Sequence, residues 1–415
     1  MLVPYQVIRL KWFKISALQY QNCYLMMQSM NPRHFSAPIP LSLYIHIPWC
    51  VQKCPYCDFN SHAARGATPE AAYVDRLIDD LDAALPHIWG RSLISIFLGG
   101  GTPSLFAPES IDRLLTAVKA RLRVSPDTEI TLEANPGTVD ESRFVGFREA
   151  GVNRLSIGVQ SFQDKQLKIL GRIHDSDHAK RAIESAKRAG FDNFNIDLMY
   201  GLSNQTEQEA LEDVETALAF NPPHVSRYQL TIEPNTFFYK NPPKNLPQDD
   251  ALWEMQIAGK ARLAQAGLQQ YEVSAYAAPD RACQHNKNYW EFGDYLGIGA
   301  GAHSKLTNMD KNEIVRHWQI KNPTDYLNRD KNMTAQTTII NKSDSIFEFM
   351  LNALRLTEGV PSELLSARTG LSLSVVEPAL QIAKQKKLLV DDDSRLCATP
   401  LGQAFLNDLV SVFLV

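Results

Sequence analysis

Nothing in this chain approaches the roughly 18 consecutive apolar residues that a membrane-spanning helix requires, so no transmembrane segment is expected. Neither sign of charge dominates: 42 Lys and Arg against 46 Asp and Glu leave a net charge of −4 and a pI near 6.2. That excludes a global basic field for nucleic acid or anionic lipid. Cysteine is scarce, six in 415 residues, which argues against a secreted disulfide framework and for a reducing, cytoplasmic setting. Acidic residues are missing altogether from positions 1–38, where the only charges are Arg9, Lys11, Lys14 and Arg33. The stretch Ile15 to Met27 is broken by Gln19, Gln21 and Asn22, so it gives no signal-peptide core. Residues 1–39 are therefore expected to be a disordered extension or an upstream-extended start, given Met26, Met27 and Met30, with a basic transit peptide as the alternative.

Three of the six cysteines are clustered. Cys50, Cys54 and Cys57 follow the apolar run Leu43–Trp49 at the spacing C-x3-C-x2-C. Thiolates suit iron–sulfur clusters or zinc. A closed zinc site wants four ligands, usually in two pairs, and no second pair exists; His46 is the one nearby residue that could make a fourth. Three thiolates on a four-iron cubane leave one iron open to a small molecule, and this reading is preferred over zinc or a disulfide. Trp49, Pro55, Tyr56 and Phe59 are expected to form a dry shell over the cluster. Cys23, Cys283 and Cys397 are scattered and expected to be free.

From residue 43 a theme repeats six times: a short β-rich run, a turn, then an amphipathic helical stretch. The strands are expected at 43–47, 93–98, 129–133, 154–160, 193–199 and 225–232, with helices near 70–85, 109–122, 140–150, 177–190, 205–220 and 249–266. Serial β-α units imply parallel strands with helical crossovers. Polar side chains lie at the C-terminal end of all six strands, including Glu133, Gln160, Asp197, Gln229 and Thr231. A barrel can converge all six on one mouth, whereas an open sheet draws on few. The expected fold is thus α/β, a partial (β/α)6 TIM-like barrel over residues 40–306. The Gly-rich segment 285–304 reads as turns more than regular structure, and 307–343 as a polar connector. Residues 344–415 suggest a small, mostly helical, winged-helix-like domain with a hairpin near 387–398. Its Lys384, Lys386 and Lys387 are followed at once by Asp391 to Asp393, a poor nucleic-acid stripe.

Gly99-Gly100-Gly101-Thr102-Pro103 follows the second strand, where backbone groups could pair with an amino acid's ammonium or carboxylate. Its spacing does not fit a dinucleotide fingerprint. Glu133 and Asp197 are buried-strand carboxylates that need partners, from a ligand or from Arg154 or Arg172.

Together with the cysteines, Gly99 to Pro103, Glu133-Ala134-Asn135-Pro136-Gly137, Gly158-Val159-Gln160-Ser161-Phe162, Gly171-Arg172-Ile173-His174 and Asn195-Ile196-Asp197-Leu198 resemble the radical S-adenosylmethionine (SAM) superfamily. The resemblance extends over about residues 40–415 and is closest to the branch of oxygen-independent coproporphyrinogen III oxidases. It implies that Cys50, Cys54 and Cys57 hold a [4Fe–4S] cluster whose open iron is chelated by SAM. Tyr44, Gly100, Gly101, Thr102, Glu133, Gln160, Arg172 and Asp197 match SAM-contacting positions, with Arg172 on the methionyl carboxylate and Gln160 and Asp197 on the ribose.

Two departures bear on function. Phe59 stands where those oxidases carry a further cysteine, which puts coproporphyrinogen decarboxylation in doubt but not cluster assembly. His285-Asn286-Lys287-Asn288-Tyr289-Trp290 matches the H-N-x-x-Y-W motif of HemW-type haem chaperones. By that resemblance His285, Asn286, Tyr289 and Trp290 are candidate haem residues, His285 through its imidazole and the aromatics as flat apolar surfaces. The leading expectation is a haem chaperone that delivers haem to an acceptor such as a membrane-associated respiratory protein. The alternative is a radical SAM enzyme acting on a tetrapyrrole.

Overall fold

A computed structural model describes residues 32–414 except 65, 329 and 331. The rest of the expected N-terminal extension lies outside the described residues. Six β-α units run in series: β1 (Leu41–Ile47), α1 (Glu70–Ile88), β2 (Ser92–Gly100), α2 (Pro108–Arg121), β3 (Arg123–Ala134), α3 (Glu141–Glu149), β4 (Arg154–Gln160), α4 (Ser176–Arg188), β5 (Phe194–Tyr200), α5 (Glu207–Leu218), β6 (His224–Gln229) and α6 (Asp249–Gln265). The strands pair in parallel in that order. Local chemistry sets the helix starts. Asp140 and Asp175 cap α3 and α4, and Thr206 with Glu209 forms a reciprocal capping box on α5.

Strand alternation then sorts the side chains. Leu43, Ile45, Ile96, Leu98, Leu132, Ile157 and Ile196 pack outward against the helices in one continuous core. The opposite face carries Ser42, Tyr44, Ser95, Glu129, Glu133, Arg154, Asp197 and His224, which makes the barrel interior polar. Their mutual bonds show the shared face: Ser95 Oγ donates to Ser42 Oγ at 2.8 Å, and Asn195 Nδ2 to Ser156 Oγ at 2.8 Å.

Beyond the sixth unit, β7 (Gln269–Glu272) and β8 (Ala275–Ala277) add antiparallel strands beside β6. A helix follows, α7 (Gln284–Trp290), then β9 (Asp294–Ile298), which pairs in parallel with the free side of β1. β10 (His303–Asn308), β11 (Glu313–Gln319) and β12 (Thr334–Ile339) extend that side antiparallel. The twelve strands form one sheet, β12-β11-β10-β9-β1-β2-β3-β4-β5-β6-β8-β7, with two separate edges: a partial barrel.

Two expectations are corrected here. The segment 285–304 is a helix and a strand, and the supposed connector 307–343 holds two strands, β11 and β12, and a short helix, Pro323–Leu327, between them. β11 is half-buried along most of its length and β12 mostly exposed, so neither needs the apolar alternation by which strands are read from sequence.

The C-terminal domain has helices α8 (Lys342–Ala353), α9 (Glu363–Thr369) and α10 (Glu377–Gln385), a two-residue strand pair Val360–Pro361 with Arg395–Leu396, and a bridge from Leu389 to Ala398. Two short helices, Pro400–Ala404 and Leu406–Ser411, complete this winged-helix-like arrangement. Its core of Phe349, Leu365, Leu380 and Phe413 is continuous with Tyr289, Trp290 and Phe292 of the barrel side. Arg316 grips Glu348 with two bonds of 2.8 Å, and Arg355 lies 4.3 Å from the Trp290 ring centroid. The described part of the extension is ordered onto this joint: Arg33 donates to Asn341 O and Ser345 Oγ, while Phe35 and Ile39 are buried.

α7 closes the base of the barrel. The Glu129 carboxylate accepts from the N–H groups of Gln284 (3.1 Å) and His285 (3.2 Å) and from the Cys283 thiol, and faces Arg154 at 3.8 Å. Those orphan N–H groups at a helix start are a natural carboxylate site. Glu129→Ala should destabilise the protein by about 3–5 kcal/mol, because Arg154 is left as a buried, uncompensated charge; Glu129→Gln, which keeps an acceptor, should cost clearly less. Equilibrium urea unfolding of both variants checks this.

Candidate functional site

β1 ends at Ile47, and the chain then loops through residues 48–63 over the barrel mouth. The loop is pinned at its base by a parallel pair, Trp49–Cys50 with His62–Ala63, and by Asn60, whose Nδ2 donates to Ala300 O and Lys321 O. Cys50, Cys54 and Cys57 all line the cavity beneath it. They carry no disulfide, and neither do Cys283 and Cys397. Among the described residues no three His, Cys, Asp or Glu side chains converge as a single ion would require. The three thiols are set around a cavity rather than on one point. Burial pushes the Cys50 thiol up to about 11, partly offset by the Thr102 hydroxyl, and pushes Cys57 up as well. Metal binding is what stabilises such thiolates.

His46 is no fourth ligand. Its Nδ1 pairs with Tyr44 Oη at 3.0 Å and its Nε2 with Asn60 O at 2.8 Å. The expected shell holds in part: Tyr56 and Phe59 line the cavity. Trp49 does not; it packs into the core, edge-on to Tyr73 at 4.7 Å and stacked with Phe106.

The cavity encloses about 810 Å3 including its open mouth, and its remaining wall comes from the C-terminal ends of the strands. Gly100, Gly101, Thr102, Glu133, Gln160, Arg172 and Asp197 all meet there. Tyr44 lies one layer deeper, under Gly99 and beside Glu133. The glycines are needed for close approach: a Cβ on Gly100 would sit 2.5 Å from the His46 ring, and one on Gly101 2.5 Å from Trp49 O. Their N–H groups are committed, Gly100 to Glu133 Oε2, Gly101 to Ile47 O and Thr102 to Trp49 O. The expectation that these N–H groups await a ligand's carboxylate is corrected accordingly.

The charged groups are different. Arg172 Nη2 donates to Gly158 O at 2.6 Å and Nη1 reaches Cys54 Sγ at 3.6 Å, while its buried Nε has no partner among the described residues. Half-buried Glu133 accepts one bond among the described residues, from Gly100, where a carboxylate can take about four. Burial, and then the nearby Asp197 carboxylate, push Glu133 up to about 7; burial also raises Asp197, against the bonds it accepts from Asn195 and Ser156. Gln160 is held at φ 72°, a left-handed conformation rare for a non-glycine residue and typical of ligand sites.

Sequence reading missed Tyr228. It lines the cavity and its hydroxyl donates to Gln160 Oε1, whereas Gln229 and Thr231, named instead, are exposed. Counting the period-two alternation from His224 would have found it.

The expected haem motif faces elsewhere. His285 is 2% exposed inside the barrel, with Nδ1 on Ser95 Oγ at 3.0 Å and its ring 5.0 Å from that of Phe97. Tyr289 and Trp290 are buried in the joint with the C-terminal domain, and Asn286 is half-buried. In this structure the motif is a plug, and it presents no apolar face or free imidazole to a haem.

Comparison with known proteins agrees with the fold. Residues 44–217 match the model of the radical SAM superfamily, and residues 340–405 that of the HemN C-terminal domain. The chain is 51% identical over 379 residues to the heme chaperone HemW of Haemophilus influenzae, spanning 90% of this chain and 98% of that protein. It is 50% identical over 375 residues to heme chaperone HemW of Escherichia coli, with the same coverage. Among solved structures, coproporphyrinogen III oxidase (HemN) from Escherichia coli, described as a radical SAM enzyme, has the same fold: TM-score 0.78 at 23% identity, over 94% of this chain and 93% of that one.

The raised Glu133 carboxyl yields a pH-dependent expectation. Between 4.5, its ordinary value, and about 7, the folded protein holds a proton that the unfolded chain releases, so this group's contribution to stability falls as pH rises through that window. Glu133→Gln should therefore make the cluster-free protein more stable by about 3 kcal/mol at pH 8, with the gain vanishing near pH 4.5. Urea unfolding at the two pH values measures it.

Proposed function

The chain belongs to the radical SAM superfamily and, within it, to the HemW haem chaperone family; from that premise we propose that it binds haem and delivers it to an acceptor such as a membrane-associated respiratory haem protein, while keeping a [4Fe–4S] and SAM site. The observation that carries the site is the cavity itself, in which three free thiols, a guanidinium and two half-buried, under-bonded carboxylates face one another. Cys50, Cys54 and Cys57 would hold the cluster. Arg172 would take a methionyl carboxylate, Asp197 and Gln160 ribose hydroxyls, and Glu133 a cationic or hydroxyl part of the same ligand. When bound, such a cluster supplies an open iron and one-electron reducing power.

What this chain's residues contribute is orientation. Tyr228 holds Gln160, Asn195 and Ser156 hold Asp197, and Gly158 O holds Arg172. Phe59 adds an apolar wall, with no thiol at that position. The second reading, a radical SAM enzyme acting on a tetrapyrrole, is favoured by the intactness of these same polar groups.

Anaerobic reconstitution separates the two. The chaperone reading expects a haem-induced Soret shift, transfer of haem to an apo-haem protein, and no conversion of coproporphyrinogen III to protoporphyrinogen IX; turnover would overturn it. Arg172→Ala should weaken SAM binding by about tenfold or more, read by equilibrium dialysis, and leave the haem titration unchanged.

A further inference from the structure

One charged residue of α5 sits where an apolar one belongs. Ala210, Val214 and Ala217 form the buried stripe of this helix, and the same stripe holds Asp213, 2% exposed. A carboxylate sunk in such a stripe carries a desolvation cost that an apolar side chain would not. Its bonds show what is gained instead. Oδ1 accepts from Phe162 N at 2.7 Å and Oδ2 from Ser161 Oγ at 2.8 Å, so both oxygens are spent on the two residues that follow Gln160.

That turn needs holding. The pairing of β4 with β5 shifts register between Ile157 and Gln160, so the ladder alone does not fix the strand end, and Gln160 itself is at φ 72°. Side chains from other parts of the chain take each residue in order. Arg172 donates to Gly158 O, His174 Nε2 meets Val159 O at 3.1 Å, Tyr228 donates to Gln160 Oε1, and Asp213 holds Ser161 and Phe162. Ser161 Oγ also accepts from Gln163 N at 3.1 Å, which tightens the turn. Arg172 and Tyr228 line the cavity, whereas Asp213 lies behind it.

We propose that Asp213 is a positioning residue for the SAM site: by clasping Ser161 and Phe162 it keeps Gln160 in the left-handed conformation that presents its amide to the ligand. This rests on the SAM reading above and adds a residue that never touches SAM. Among the described residues the charged groups that act on Asp213 are Arg227 of β6 and Glu212 of its own helix. Burial raises its carboxyl to about 6, against the Phe162 and Ser161 bonds and the Arg227 charge, and Glu212 adds to the rise. The clasp is therefore complete at pH 8 and loses an acceptor as pH falls through 6.

Equilibrium dialysis of SAM against the full-length, anaerobically reconstituted protein tests this. Asp213→Ala should weaken SAM binding about tenfold at pH 8, the loss expected when the competent turn is populated about one-tenth of the time. Asp213→Asn, which can still accept from Phe162 N, should recover part of that loss. The ratio of its Kd to that of the wild type should approach one as pH falls through 6, because the protonated wild-type side chain then resembles the amide. Glu133 and Asp197 titrate in both proteins and drop out of the ratio. Ser161→Ala should weaken binding several-fold and add little in the Asp213→Ala background. Glu215→Ala, which breaks the ion pair of α5 with Arg262, should leave SAM affinity unchanged. If Asp213→Asn, folded by circular dichroism, binds SAM as the wild type does at pH 8, the positioning role is overturned and the SAM reading stands. A reconstituted wild-type protein that binds no SAM would overturn both.

Discussion

Two glutamates four residues apart on one face of one strand define the molecule. Glu129 and Glu133 both point from β3 into the barrel, where an ionised carboxylate without partners is costly. Glu129 is answered within the chain by two helix N–H groups, a thiol and Arg154. Among the described residues Glu133 is answered by a single N–H and faces a second carboxylate. The first arrangement closes the base of the barrel; the second leaves its mouth short of positive charge and of donors. A ligand with an ammonium or sulfonium group and hydroxyls would complete the second in the way that α7 completes the first.

The same division explains which features could be read from the amino-acid order. The six parallel strands announce themselves because their outward faces pack on helices, so Ile, Leu and Val recur with clear capping residues between them. The cysteines and the residues after each strand were legible because a barrel brings strand ends together whatever the loop lengths. β11 and β12 were not, since a strand that is half-covered or exposed gains little from alternation. Trp49 was misplaced because adjacency to Cys50 says nothing about direction: successive residues of a strand point to opposite sides, and Trp49 belongs to the Tyr73 and Phe106 side.

The H-N-x-x-Y-W segment is the more instructive case. A histidine followed by aromatics at helical spacing has the composition of a haem site and also that of a helix wedged between two cores. The structure uses it as the latter: His285 and Asn288 bond Ser95 and Ser42 inside the barrel, while Tyr289 and Trp290 face the C-terminal domain. One short helix therefore contacts both bodies at once. Its N-terminal end is also joined to the mouth. From Asp197 a run of hydrogen bonds passes through Asn195 and His224 to the Tyr271 hydroxyl, which accepts from Cys283 N at the start of α7.

That run gives a physical reason for a plug to be built of such particular side chains. A barrel base filled with Leu or Ile would be easier to stabilise, since every buried polar group carries a desolvation cost that its bonds only just offset. A polar base instead fixes one register: His224 must present Nδ1 to Asn195 and Nε2 to Tyr271, and Asn195 can then donate to Asp197. Asp197 is thereby held in one orientation with no positive partner in direct contact among the described residues, where a ligand could supply donors of its own. Stability is given up at the base to keep that geometry at the mouth, which is the pattern expected where a site must be preorganised for its ligand before the ligand arrives.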